Sequence, residues 1–287
     1  DPTELFDFSK VLGEGGYGVV LKGGKKPLLK TTIFIQGEEA QAIEEVQLIN
    51  KYSGHKNIVS LHCAMIHTKE SQLWTVMDYC GGGSLDDLIM STENQSLPEH
   101  WIKYISREIL KGLKYLHENN LIHQDIKASN LVLTEQAEIK IIDFGLATQL
   151  SDPTEKVRGT KGTPCFMAPE VVLSRYSRDI GYGVECDIWS FGITVIEMAE
   201  GYAPLSEISR DMIYYHIVKD QPPTLQYGKW SSDFMNFLSW CLQKDPDYRA
   251  TAEELLRHRF LKRQPRKKCV QREIIEHMNN YKQLQGK

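Results

Sequence analysis

Four residues of this 287-residue chain carry side chains and a spacing suited to one kind of reaction. Asp125, Lys127 and Asn130 lie within the stretch LIHQDIKASNLVL, and Asp143 follows in IIDFGLA. A carboxylate can orient a hydroxyl nucleophile, a lysine can neutralise a phosphoryl group in transit, and an amide with a second carboxylate can hold a divalent cation. Phosphoryl transfer leaves little covalent chemistry for a protein to perform, so positioning and charge neutralisation are what such a set must supply. Either Asp-x-x-x-x-Asn or Asp-Phe-Gly alone would be weak evidence. Their order and separation, with His123 ahead of Asp125, are specific.

The elements that must carry these residues are legible from periodicity. Up to about Asp78 the chain alternates strand-like segments with one helix, as a small β-rich lobe does. VLGEGGYGVV sets Gly13, Gly15 and Gly18 among β-type residues, a hairpin tip whose N–H groups could close over phosphates with no Cβ in the way. Alone, Gly-x-Gly-x-x-Gly is more often a plain turn. In EEAQAIEEVQLINKY, Ala42 and Ile49 stand at i−3 and i+4 from Glu45, which puts that carboxylate on the inner stripe of an amphipathic helix, with Glu44 about 100° away. VMDYCGGGS then interrupts the pattern with glycines, as a hinge would. Ser96-Leu-Pro-Glu99 has capping-box spacing and predicts a helix in which Ile102, Ile105, Ile109, Leu113 and Leu116 keep a helical period until Asn119 and Asn120 end it. That helix would deliver the Asp125 loop. Residues 186–200 and 231–242 read as further helices of a mainly α lobe, and Ile274, Ile275 and Met278 share one face of a terminal helix that packs back.

Composition excludes several classes. With 41% hydrophobic and 25% charged residues the chain buries a substantial core and is neither disordered nor fibrous, although length alone suggests about two domains. A net charge of −4 carries no nucleic-acid or membrane footprint, and RQPRKK reads as a solvated linker, with a lipid-binding patch as the alternative. Six dispersed cysteines without a Cys-x-x-Cys pair argue against zinc and disulfides and for reduced thiols in a cytoplasmic protein. No apolar run approaches the roughly 20 residues needed to span a bilayer. The chain opens at Asp1, which fits an excised catalytic domain.

Taken together, His123-Gln-Asp125 with Asn130, Asp143-Phe-Gly, the glycine hairpin, GTPCFMAPE, CDIWSFG and KDPDYRA resemble the protein kinases. Lys127 and Thr163 resemble the serine/threonine branch. Within it, QLWTVMDYCGGGSLDDLI, ENQSLPEHWIKYISREILKGLKYLH and GITVIEMAEGYAPL look most like the Ste20-related germinal-centre kinases of the Nck-interacting group. The resemblance covers nearly the whole chain. It implies a bilobal α+β fold: an N-lobe over 1–78, a hinge over 79–84, a C-lobe over 85–262, and a linker and helix over 263–287. It implies Asp125 as catalytic base, Lys127 and Lys30 on phosphates, Glu45 as partner of Lys30, and Asn130 and Asp143 on Mg2+. It implies ATP contacts from Leu12, Gly13, Gly15, Gly18, Val20, Leu28, Lys30 and Val132, with Met77 as gatekeeper and Asp78 and Cys80 on the adenine edge. Glu170 and Arg249 are expected to pair in the interior, with Asp187 structural. Expected partners are ATP, proteins bearing Ser or Thr, and an activator or scaffold protein, but neither nucleic acid nor a membrane span.

Three departures matter. The usual arginine before the catalytic Asp is Gln124, which cannot make charge-assisted bonds to a loop phosphate. The usual phosphoacceptor threonine falls on Gly159, with Thr160 adjacent but displaced. Leu28 replaces the usual small residue two before the strand lysine, and strand alternation puts it on the face of Lys30. Two readings therefore stand at this stage: an active Mg-ATP-dependent serine/threonine kinase, and a pseudokinase that binds or scaffolds with little catalysis. A hydrolase finds no Gly-x-Ser-x-Gly elbow.

Overall fold

The computed structural model describes residues 8–15, 18–23, 27–33, 39–67, 72–262 and 266–285, with side chains from Ala40 onward except those of Gln41, Ile66, His67, Gln72 and Gln285. The first part is a five-stranded antiparallel sheet of order β1-β2-β3-β5-β4, formed by β1 (Phe8–Gly15), β2 (Gly18–Gly23), β3 (Pro27–Ile33), β4 (Leu61–His67) and β5 (Gln72–Asp78). Helix α1 (Glu39–Tyr52) is its one described helix. Ala42, Leu48 and Ile49 are buried while Glu44 is exposed and Glu45 half-buried, as the inner-stripe reading requires.

After the glycines of the hinge the chain is helical: α2 (Leu85–Ser91), α3 (Glu99–Glu118), α4 (Pro169–Ser174), α5 (Glu185–Glu200), α6 (Arg210–Lys219), α7 (Ser232–Cys241), α8 (Ala252–Arg257), α9 (Arg259–Lys262) and α10 (Lys267–Gln285). Two small antiparallel sheets lie between helices. One joins β6 (Gly83–Ser84), β8 (Leu131–Leu133) and β9 (Ile139–Ile141); the other pairs β7 (Leu121–Ile122) with β10 (Thr148–Gln149). These short strands bracket the Asp125 loop and the Asp143 turn. A strand-rich first part and a helical second part make the bilobal α+β architecture that the resemblance implies.

Helix α3 runs through the middle of the core, with Ile102, Ile105, Ile109, Leu113 and Leu116 fully buried, and ends at Asn119 as its periodicity predicts. It lies so close to β9 that a Cβ on Gly112 would come within 2.7 Å of Ile141 Cδ1. Its start differs from the sequence reading. Pro98 is the N-cap with no side-chain cap bond, and Ser96 instead donates its hydroxyl to the Ala199 carbonyl at 2.7 Å. A distant carbonyl has outcompeted the local cap. RQPRKK also departs from a solvated linker: Lys267 and Lys268 already belong to α10, and Lys267 reaches Glu108 at 3.4 Å. Ile274 and Met278 of α10 are buried against the domain, as expected.

Candidate active site

The Asp125 loop is held from behind by a buried carboxylate. Asp187, in the first turn of α5 and fully buried, accepts the His123 N–H at 2.9 Å, the Gln124 N–H at 2.8 Å and His117 Nε2 at 2.9 Å. Gln124 has a φ of 68°, which costs a non-glycine residue about 1 kcal/mol or more. The bonds to Asp187 are what keep it there. The His123 ring donates through Nε2 to the Ile142 carbonyl at 3.0 Å, accepts the Asp125 N–H on Nδ1 at 3.3 Å and packs edge-on to buried Phe144. The Asp125 loop and the Asp-Phe-Gly turn are thereby fastened to each other.

Asp125 sits at the convergence of three neighbours. One oxygen accepts the Thr163 N–H at 3.1 Å and its hydroxyl at 2.6 Å; the other lies 2.9 Å from Lys127 Nζ and 2.8 Å from Asn130 Nδ2. Lys127 also donates to the Thr163 hydroxyl at 2.7 Å. Burial pushes the Asp125 carboxyl up, but the bonds from Thr163 and Lys127, the lysine's charge and His123 outweigh it and hold the group below its ordinary value. An ionised carboxylate gripping a hydroxyl beside an ammonium is the arrangement a hydroxyl nucleophile needs. Thr163 supplies such a hydroxyl from within the chain.

Asn130 directs its amide nitrogen to Asp125 O and Oδ2, both at 2.8 Å, which leaves its amide oxygen as a hard donor. Asp143 stands just after β9 with a φ of 65° and accepts the Gly145 N–H at 3.3 Å. Glu45 comes to the same place, its Oε2 lying 3.6 Å from where a Gly145 Cβ would sit. Among the described residues no three His, Cys, Asp or Glu side chains gather as a metal cage. One carboxylate and one amide oxygen fit Mg2+ held jointly with nucleotide phosphates, its usual mode.

Around the hinge, Met77 is buried and Asp78 is anchored by its side chain to His62 at 2.9 Å and Lys140 at 3.1 Å. Its backbone faces Pro27, which has no N–H to donate, and the Cys80 carbonyl accepts from Gly83 at 3.2 Å. Val132 is the half-exposed residue of β8 between buried Leu131 and Leu133. The β1–β2 hairpin pairs Gly15 with Gly18 and Gly13 with Val20, with a register irregularity at Leu12. On β3, Leu28 pairs with Lys22 and Met77, and Lys30 with Val20 and Thr75. The Lys30 ammonium, its pairing with Glu45 and the packing of the Leu28 side chain lie outside the described residues.

The segment from Asp143 to Glu170 is held by neutral hydrogen bonds and ion pairs. The Gln124 amide nitrogen donates to the Leu146 carbonyl at 2.6 Å and the Thr148 hydroxyl at 2.7 Å, and its oxygen accepts from the Tyr182 hydroxyl at 2.7 Å. Val157 and Tyr182 exchange backbone bonds at 2.8 and 3.0 Å, and Lys156 pairs with Glu185 at 2.6 Å. Gly159 has a φ of 92° with open space where a side chain would project. Gly162 is required, since a Cβ there would lie 2.6 Å from the Gln124 carbonyl oxygen. Glu170 and Arg249 form a buried two-pronged pair at 2.5 and 2.9 Å.

Sequence reasoning did not find the grips of Thr163 on Asp125 or of Tyr182 on Gln124, nor Glu197, which accepts the Ala128 N–H at 3.0 Å. Burial first, and Asp86 in addition, push Glu197 up to about 7 against the opposing effects of that hydrogen bond and Lys127. Only the Thr-Pro dipeptide carried any local signal.

The chain matches the protein kinase domain family over residues 6–261. It is 38% identical over 295 residues to Misshapen-like kinase 1 of Rattus norvegicus, covering 100% of this chain and 22% of that protein. It is 38% identical over 296 residues to the serine/threonine-protein kinase mig-15 of Caenorhabditis elegans (99% and 27%), and 41% over 268 residues to the serine/threonine-protein kinase dst2 of Dictyostelium discoideum (91% and 23%). The chain thus spans about a quarter of the length of the curated relatives it matches. These similarities bear out the resemblance to the Ste20-related kinases.

Proposed function

The chain belongs to the protein kinase domain family, in its serine/threonine branch, and on that premise we propose that it transfers the γ-phosphoryl group of Mg-ATP to Ser and Thr hydroxyls of proteins in cytoplasmic signalling. The observation that carries this reading is the Asp125–Lys127–Thr163 cluster, in which an ionised carboxylate and an ammonium already hold a hydroxyl between them. Mg-ATP, when bound, supplies the activated phosphoryl group and the metal charge that neutralises its oxygens.

The chain's residues do the positioning. Asp125 accepts the substrate hydroxyl proton and orients the oxygen; Lys127 stabilises charge on the phosphoryl side. Asn130 and Asp143 offer oxygens to metal, while Lys30, oriented by Glu45, meets the α- and β-phosphates. The glycine hairpin at Leu12, Gly13, Gly15, Gly18 and Val20 covers the phosphates. Met77, Asp78, Cys80, Leu28 and Val132 surround the adenine. The lobes follow the hinge, 1–78 before 79–84 and 85–262 after, with 263–287 appended, and an activator or scaffold protein regulates the domain.

The test is phosphate transfer from Mg-ATP to a mixed Ser/Thr peptide pool, run beside Asp143→Asn. Turnover in the parent that disappears in the variant supports the assignment. Nucleotide binding without turnover in the parent refutes it in favour of a pseudokinase.

A further inference from the structure

Outside the active site, positive charge collects around one buried carboxylate. Glu108 on α3 is only 2% exposed, and three lysines reach it from three separate elements: Lys111 in a short ion pair, Lys267 at 3.4 Å and Lys56 at 4.0 Å. Asn57 takes a further share of the same carboxylate at 3.3 Å. One negative charge cannot satisfy three ammonium groups. His55 and Lys111 are held below their ordinary values first by burial and then, in part, by the surrounding cations, Arg107 among them for Lys111. Glu138, which reaches Tyr104 from the β8–β9 connection, is the other acid nearby. With both acids counted, the cluster keeps an excess of positive charge.

The start of α10 adds a second, independent frustration. Arg266, Lys267 and Lys268 crowd the N-terminal end of this 19-residue helix, whose first turn holds no acid. The helix dipole already makes that end positive, so cations there are unfavourable and an anion is welcome. Lys56 and Lys267 are 59% and 41% exposed and keep donors free for solvent or a ligand.

We propose that this cluster docks a short run of negative charge, carboxylates or phosphoryl groups, on a partner protein. A protein segment fits better than a membrane or nucleic acid. Residues 53–57, 103–114 and 266–272 expose no large hydrophobic side chain to anchor in a bilayer or to stack on bases. The nearby aromatics are occupied, Tyr104 buried under Lys267 and Tyr115 stacked on His55. Convergence on a single carboxylate also makes the cluster compact, matched to a few adjacent anions.

The experiment is fluorescence anisotropy of the full chain with three labelled peptides: Glu-rich, phosphoserine-rich and a neutral Gln-rich control. Both acidic peptides should bind and the neutral one should not, and binding should weaken with salt. The better acidic peptide identifies the preferred anion. Lys56→Gln combined with Lys268→Gln should weaken binding about fivefold or more, whereas Lys229→Gln, exposed on the α6–α7 connection, should not. Phosphorylation of a generic peptide should be unchanged in both. Equal binding of all three peptides, or a double variant indistinguishable from Lys229→Gln, overturns the proposal. So does co-sedimentation with phosphatidylserine vesicles that the double variant abolishes, which would assign the cluster to a membrane.

Discussion

Replacing Gln124 with alanine tests whether the activation segment is ordered by neutral hydrogen bonds. The side chain makes three of them, to the Leu146 carbonyl, the Thr148 hydroxyl and the Tyr182 hydroxyl. Alanine deletes all three and strands the Tyr182 hydroxyl in the interior, where the residue is fully buried. The backbone strain at φ 68° is unchanged, since alanine also has a Cβ. At ~1 kcal/mol per neutral bond, with an unpaired buried hydroxyl among the losses, the total is about 3 kcal/mol. For a chain of this size that is a drop in Tm of roughly 5–10 °C, read by differential scanning fluorimetry.

Arginine at the same position should not rescue it, because a guanidinium cannot accept the Tyr182 proton and would bring an unpaired charge into a buried position. Neutral bonds from Gln124 to Leu146, Thr148 and Tyr182 tie the segment down, so phosphatase-treated parent should keep its kcat/KM, and Thr160→Ala should behave like the parent. The reasoning fails if Gln124→Ala melts within about 1 °C of the parent. It also fails if dephosphorylation alone costs more than tenfold in kcat/KM, ~1.4 kcal/mol of transition-state stabilisation.

Asp125→Asn should lower kcat by about 100-fold or more with ATP affinity nearly unchanged, as the carboxylate meets the hydroxyl and not the nucleotide; turnover within about threefold of the parent removes it as the base. Leu28→Ala should tighten ATP binding measured by calorimetry, because relief of overpacking is worth ~1–3 kcal/mol, and unchanged or weaker binding shows that Leu28 does not face the nucleotide. Glu197 is raised from 4.5 to about 7 by burial foremost, so its contribution to stability is fully present below 4.5 and is lost as pH climbs through about 7. The parent's Tm should therefore fall across that window relative to Glu197→Gln, and parallel pH profiles would show that Glu197 does not titrate there.

Much of this molecule is legible locally. Asp125, Lys127, Asn130 and Asp143 lie within 19 consecutive residues, and short loops between short strands leave them little choice but to converge. Helix α3 is equally plain, because a 3.6-residue period of five aliphatic side chains records which face is buried. The choice of Glu45 over Glu44 followed from the same periodicity. The family, too, is written in motif order.

Local pattern failed where a distant partner could compete. Ser96 has the spacing of a cap, yet its hydroxyl is taken by Ala199, 103 residues away. The first residues of α10 look like a charged linker until Glu108 and the underside of α3 become available to them. Gln124 is the sharpest case. The sequence by itself determined that no arginine is present to receive a phosphate, which reads as a loss. Only the tertiary structure decided that Tyr182, 58 residues on, together with Thr148 and the Leu146 carbonyl, would occupy both ends of the amide. Propensity and periodicity report which face of an element is apolar, but a hydrogen bond depends on where two remote polar atoms come to rest. That position exists only once the chain has packed.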